Sequence, residues 1–223
     1  MQGRNELCAV LIYSEKANAT IKKIDFAEAM NVKGVVGHIS AQDLKETQNS
    51  WGAMIDDEPV FAFENVSHHG QVIAALLCSS NEVGKKARKL VNITYEQNKE
   101  AQLPPVYGLG DVMEKSGISA LEKLPNFGGA QRLRRYLDDD DTSSTDQVIE
   151  GTVKIGGQQH FYLEPHNVLI VPIGEKSEYT VYVGTQSATL GVQKELARVL
   201  NVPKHKITVI TKRTGGAFGG KER

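Results

Sequence analysis

Cysteine is nearly absent from this chain, and so is any imbalance of charge. Only Cys8 and Cys78 occur among 223 residues. Two isolated thiols cannot ligate a four-thiolate iron–sulfur site. Each sits inside an apolar run, which reads as a buried thiol in a reducing compartment rather than half of a disulfide. Lys plus Arg is 26 and Asp plus Glu is 27, a formal net charge of −1. That balance argues against an electrostatic footprint for nucleic acid or an anionic membrane. No stretch approaches the ~18 apolar residues of a spanning helix, and no signal-peptide pattern opens the sequence. The standard nucleotide motifs are missing too. A GxxxxGK[ST] loop needs Ser or Thr after the lysine, and Glu222 follows Lys221. The spacing of Gly215 to Gly220 does not fit GxGxxG.

What remains is an ordinary soluble composition, 40% hydrophobic and 24% charged, long enough for one large or two ordinary domains. Its most informative segment is Thr214-Gly215-Gly216-Ala217-Phe218-Gly219-Gly220-Lys221-Glu222-Arg223, directly after the strand-like Ile207-Thr208-Val209-Ile210. Glycine reaches positive φ and admits close approach to the backbone. Such a loop can turn several N–H groups toward an anion or a sulfur-bearing cofactor, or it can be a plain turn. The sequence stops just beyond it, which reads as a piece of a longer polypeptide.

Hydrophobic periodicity predicts strands over 6–14 and 19–24, with Asp25-Phe26-Ala27-Glu28 as a capping box before a short helix. Val32–Ile39 is β-rich, and Ser40 with Asp43 is placed to cap another short helix. A strand is expected over Pro59–Phe63, and a central strand buried on both faces over Gly70–Cys78. Ser79 and Glu82 have capping-box spacing before a helix to about Leu90, and Val91–Glu96 returns as a strand. These elements predict a mixed α/β unit over 1–124. Residues 125–147 carry a basic cluster, Asp138 to Asp141 and a Thr/Ser run, and read as a solvated linker. The adjacent aspartates lack the spaced geometry of a calcium loop. Beyond the linker, a strand is expected over Val148–Ile155, then a hairpin of Val168–Pro172 with Glu178–Val183. An amphipathic helix over Ser187–Leu200 follows, stopped by Pro203. If the strands around that helix run parallel, Thr185-Gln186 and Gly215–Gly220 meet at one carboxyl edge, where ligands of α/β sheets tend to bind.

Three further groups invite a site. His160, after Gly156-Gly157, reads as a packed core histidine rather than a ligand. His68-His69 reads as a turn, since neighbouring residues of a strand face opposite ways. Lys221 is either a phosphate clamp or a solvated or salt-bridged lysine.

Gly156-Gly157-Gln158-Gln159-His160-Phe161-Tyr162-Leu163-Glu164, then Gly184-Thr185-Gln186, then Lys212 to Glu222 resemble the opening of the molybdenum-cofactor domain of the xanthine dehydrogenase and aldehyde oxidase family. Ile21-Lys22-Lys23-Ile24-Asp25 and Val91-Asn92-Ile93-Thr94-Tyr95-Glu96 resemble that family's α/β-hammerhead domain. The resemblance implies an α+β chain: a hammerhead domain over 1–124, the linker over 125–147, and the truncated start of an α+β molybdopterin-binding domain over 148–223. It implies a molybdenum–molybdopterin enzyme that hydroxylates purines, N-heterocycles or aldehydes with oxygen from water. Electrons would leave through [2Fe–2S] clusters to FAD on other domains. The metal would be held by the pterin dithiolene, with Gln186 and Phe218 near molybdenum. Gln186 would hydrogen-bond an oxo ligand. Gly216, Ala217, Phe218 and Gly219 would line the cofactor, and Glu222 would reach the substrate. The catalytic base would lie C-terminal to Arg223, so that these residues alone would be inactive.

Glu222 suggests a purine, whereas Ala217 is more often seen in aldehyde oxidases; Glu222 carries more weight because a carboxyl bears directly on substrate chemistry. The alternatives kept open are an aldehyde oxidase and a non-catalytic assembly module of such a complex. The resemblance further implies a homodimer acting on a small molecule, with no nucleic acid or membrane partner, in the cytoplasm or alternatively the peroxisome.

Overall fold

The structure is a computed structural model and describes residues 6–52, 57–97, 151, 153, 155–175 and 177–222. The chain divides into two compact units, one made of 1–102 with 159–223 and the other of 103–158. The linker expected at 125–147 lies outside the described residues. The strand expected over Val148–Ile155 has only Gly151, Val153 and Ile155 among them, and none of these is in a strand.

The N-terminal half of the first unit is built on β7 (Val72–Cys78), the continuous apolar run. It lies between β1 (Cys8–Tyr13) and β3 (Val35–Ser40), antiparallel to both. Ile73, Ala74, Leu76 and Cys78 are wholly buried. Each large aliphatic side chain so placed stabilises the fold by roughly 1.5–3 kcal/mol. One cluster packs these residues against Ile12, Val66 and Ala87, and a second joins Ala75 to Ala41 and Phe61. The central strand is therefore covered on both sides, as its lack of alternation requires. A second sheet orders β6 (Asn65–Val66), β2 (Ala19–Asp25) and β8 (Asn92–Gln97), and a short ladder pairs β4 (Ser50–Trp51) with β5 (Glu58–Pro59).

Local chemistry corrects several expected boundaries. The helix α2 (Asn81–Arg88) is capped by Ser80, whose hydroxyl accepts the Val83 N–H at 3.3 Å; Ser79 instead donates its N–H to the Gly34 carbonyl. Before α1 (Ala27–Met30) the cap residue is Phe26, and no capping box forms: Asp25 accepts the Ala27 N–H and the Lys23 ammonium. The expected Ser40–Asp43 pair is present, with the Asp43 carboxylate accepting the Ser40 N–H at 2.8 Å, though the turn it caps is 3₁₀. The strand expected over Pro59–Phe63 ends at Pro59, because the Asn49 side chain takes over both backbone groups of Phe61. Cys8 faces Cys78 across the β1–β7 ladder, and neither is in a disulfide. Burial, and then the neighbouring Cys8, pushes the Cys78 thiol pKa up.

The C-terminal half of the unit is a sheet of β9 (Val168–Ile173), β10 (Glu178–Val183) and β11 (Ile207–Ile210) in the order 11-10-9. β10 is antiparallel to β9 and parallel to β11. The crossover between the parallel strands is helical, but its first part, Ala188–Gln193, is a π-helix, followed by α3 (Lys194–Val199). The wide turn shows in the Val192 N–H reaching the Ser187 carbonyl at 3.0 Å. Val181, Ala197 and Ile207 form the buried centre of this half.

Candidate functional site

The parallel pairing of β10 and β11 puts the ends of both strands at one edge, as expected. Thr185-Gln186 leaves the first strand and the glycine loop leaves the second. The two are laced together. The buried Thr185 hydroxyl donates to the Lys221 carbonyl at 3.0 Å and accepts the Ser187 N–H at 3.0 Å. The Gln186 N–H donates to the same carbonyl at 3.1 Å.

The Gln186 side chain then turns onto the loop. Its Oε1 accepts the Gly219 N–H at 3.0 Å and the Lys221 N–H at 3.4 Å. Only the oxygen of the amide can accept, so these contacts fix the amide plane. Its NH₂ group is the donor end of an exposed residue. The Gly220 N–H closes a turn on the Ala217 carbonyl at 2.8 Å. The N–H groups of 219 and 221 are thus taken by the Gln186 side chain and that of 220 by the Ala217 carbonyl, so they are not aimed at an anion as the glycines first suggested.

Gly215, Gly216 and Gly219 have positive φ, and so does Phe218 at 53°, where a non-glycine residue is uncommon. Phe218 is 73% exposed at the crest of the loop, while Ala217 beside it is buried. Glu222 is exposed, and its carbonyl lies where a Cβ on Gly191 would come within 3.2 Å, beside the π-helical turn. The structure therefore brings Gln186, Gly216, Phe218, Gly219 and Glu222 into one short stretch, with Ala217 buried among them.

The segment before the sheet forms the underside of the loop, and the roles of its residues were not foreseen. A Cβ on Gly220 would come within 2.6 Å of Tyr162 Cε1 and 2.9 Å of His160 Cγ. One on Gly215 would meet Glu164 Cβ at 2.2 Å. His160, Tyr162 and Glu164 all face the loop, whereas Phe161 and Leu163 are 85% and 89% exposed. A period of two in this motif was the available signal. His160 is exposed and not a core histidine; it lies against loop backbone. His166 Nε2 lies 2.6 Å from the Tyr162 hydroxyl. His68-His69 does occupy a turn. Lys221 is not the solvated or salt-bridged lysine that the sequence offered as one alternative. It is 2% exposed, its Nζ donates to the Thr214 carbonyl, and it lies 5.0 Å from the Tyr162 ring centroid. Among the described residues no group of three or more metal-binding side chains occurs.

Comparison with known proteins places this site in context. Residues 1–99 match the family described as aldehyde oxidase and xanthine dehydrogenase, a/b hammerhead domain, and residues 135–223 match the molybdopterin cofactor-binding domain. The chain is 37% identical over 218 residues to the nicotinate hydroxylase of Emericella nidulans, covering 97% of this chain and 15% of that protein. It is 37% identical to the xanthine dehydrogenase/oxidase of Felis catus over 98% of this chain and 15% of the relative. Aldehyde oxidase 2 of Rattus norvegicus is 34% identical, with 97% and 15% covered. The chain thus spans 15% of the length of these relatives. Among solved structures, the aldehyde oxidoreductase of Desulfovibrio gigas superposes with a TM-score of 0.72 at 21% identity, over 99% of this chain and 24% of that one. Quinoline 2-oxidoreductase of Pseudomonas putida 86 gives 0.73 at 20% identity, over 99% and 28%. These two likenesses speak to the fold.

Proposed function

Because the chain belongs to the aldehyde oxidase and xanthine dehydrogenase family, we propose that Gln186 and the Gly215–Gly220 loop form part of a molybdopterin site in an enzyme that hydroxylates a purine. The observation that carries this reading is the locked Gln186 amide, whose oxygen is held by the Gly219 and Lys221 N–H groups. A neutral NH₂ donor fixed in one direction suits an oxygen acceptor on the cofactor and costs no reorganisation when charge develops there. When bound, the molybdenum cofactor supplies two-electron oxidation of a carbon with oxygen drawn from water. This chain's residues do the positioning. Gln186 would present its donor, the loop would hold Phe218 and backbone against the cofactor, and Glu222 would offer a carboxyl to the substrate. Iron–sulfur and FAD groups on other domains would accept the electrons.

Glu222 favours a purine, since ring N–H and acceptor atoms along a purine edge can pair with a carboxyl, and an aldehyde offers nothing comparable. Ala217 is the observation behind a second reading, an aldehyde substrate. The polypeptide that carries this sequence, purified from its native host, should contain molybdenum and pterin in equal amounts. Gln186→Ala should leave that content in place and slow turnover by about 10²–10³. Undiminished turnover at full molybdenum content would refute the role of Gln186. Glu222→Ala should lower kcat/KM for xanthine and hypoxanthine by roughly one to two decades and spare an aromatic aldehyde. Equal losses on all substrates would assign Glu222 to loop support.

A further inference from the structure

Lys221 is the largest fully buried side chain among the described residues. Burying an ammonium is costly unless it is compensated, and an apolar residue of the same length would fill the space without that cost. Its compensation is the Thr214 carbonyl and the face of Tyr162. Both are structural parts of the glycine loop. Thr214 is its first residue, and Tyr162 packs beneath Gly216 and Gly220. The backbone of the same lysine is tied to the other wall of the site. Its N–H donates to Gln186 Oε1, and its carbonyl accepts from Thr185 Oγ1 and the Gln186 N–H. One residue therefore joins the entry of the loop, its floor and the strand end that bears Gln186.

From this we propose that Lys221 is a positioning residue for the cofactor site: its buried ammonium sets the glycine loop and, through the loop, the direction of the Gln186 amide. The functional importance of that direction rests on the molybdopterin reading above, but the positioning itself does not.

Hydrogen exchange on the full polypeptide that carries this sequence, prepared without molybdenum, tests the positioning independently of any metal. Lys221→Met keeps the length of the side chain and removes its charge, and Lys221→Arg keeps the charge. In Lys221→Met the Gly219, Gly220 and Lys221-position amides should exchange about 10–100-fold faster, the scale of a lost hydrogen bond to a charged group. The amides of Val181 and Leu76 should keep their wild-type rates, and Lys221→Arg should recover at least part of the loop protection. Unchanged loop exchange in Lys221→Met overturns the proposal. So does equal acceleration at Val181 and Leu76, which would make Lys221 a general stability residue. In the molybdenum-loaded protein, Lys221→Met should shift the metal's electron paramagnetic resonance signal in the same direction as Gln186→Ala, at unchanged molybdenum content. A signal unaffected by Lys221→Met but moved by Gln186→Ala would break the link between the two residues. Absence of molybdenum from the wild-type protein would instead defeat the cofactor reading and leave the exchange result standing.

Discussion

At the scale of single residues, the site depends on atoms that are missing as much as on those present. Gly220 has no Cβ, and the rings of Tyr162 and His160 occupy the space one would need. Gly220→Ala should therefore destabilise the chain by about 1–3 kcal/mol, the usual cost of forced overpacking. Urea titration followed by tyrosine fluorescence measures it, and an unchanged midpoint would show that the two rings yield freely. Gln186 and Phe218 could be picked out in the sequence because they sit in a specific motif. Thr185 and Tyr162 could not be assigned roles, because their function is to hold other backbone in place and depends on contacts far along the chain. Acid sensitivity also belongs here. Lys23, with the Ala27 N–H, holds the Asp25 carboxyl below its ordinary range, and Lys206 does the same for Glu178. A depressed folded pKa gives stability that is present above the unfolded value, about 4, and is lost as pH falls through the lowered one. The melting temperature should drop on acidification below about pH 4. Asp25→Asn with Glu178→Gln should flatten that drop, and an identical acid profile in the double variant would contradict it.

Elements show where two local forces compete. Gly84 lies inside α2, where alanine is normally favoured by about 1 kcal/mol. Here a Cβ would come within 2.3 Å of Val10 Cγ2, because the helix sits directly on β1 and β7. Packing should win, so Gly84→Ala is expected to lower stability by a net ~1 kcal/mol or more despite its helix propensity; a rise in the denaturation midpoint would reverse that ranking. The same competition explains what the sequence did and did not disclose about elements. Strand β7 was legible because seven residues in a row are apolar or small. The crossover helix was legible as a helix from its apolar face. Its π-helical opening was not, because it depends on Ser187, whose hydroxyl and carbonyl both take the Gly191 N–H, and on Glu222, whose backbone lies against Gly191. The misplaced cap at α2 has a smaller cause: Ser79 and Ser80 are both suitable caps, and only the sheet register decides between them.

For the molecule as a whole, the candidate site follows from one topological fact, the parallel pairing of β10 with β11. It brings residues 33 and 35 positions apart into hydrogen-bonding range at one edge. The N-terminal sheets carry a core of their own, and the Gln48 side-chain amide ties them to the C-terminal half at the Val199 carbonyl, 2.6 Å away. Residues 1–99 expressed alone should thus melt cooperatively; a gradual, non-cooperative loss of signal would show that the C-terminal half is needed to complete that core.

Strand β9 borders only β10 among the described residues, and Val168, Leu169, Ile170 and Ile173 are between 40% and 60% exposed along it. An apolar strand with an open edge is a template for strands of other molecules, and Pro172, which has no N–H to offer, is the one residue in it that blunts such pairing. Resistance to strand addition at this edge of the described residues therefore rests on Pro172. Pro172→Val should shorten the lag before fibrillar, thioflavin-positive assemblies form, and a charge at Ile170 should lengthen it.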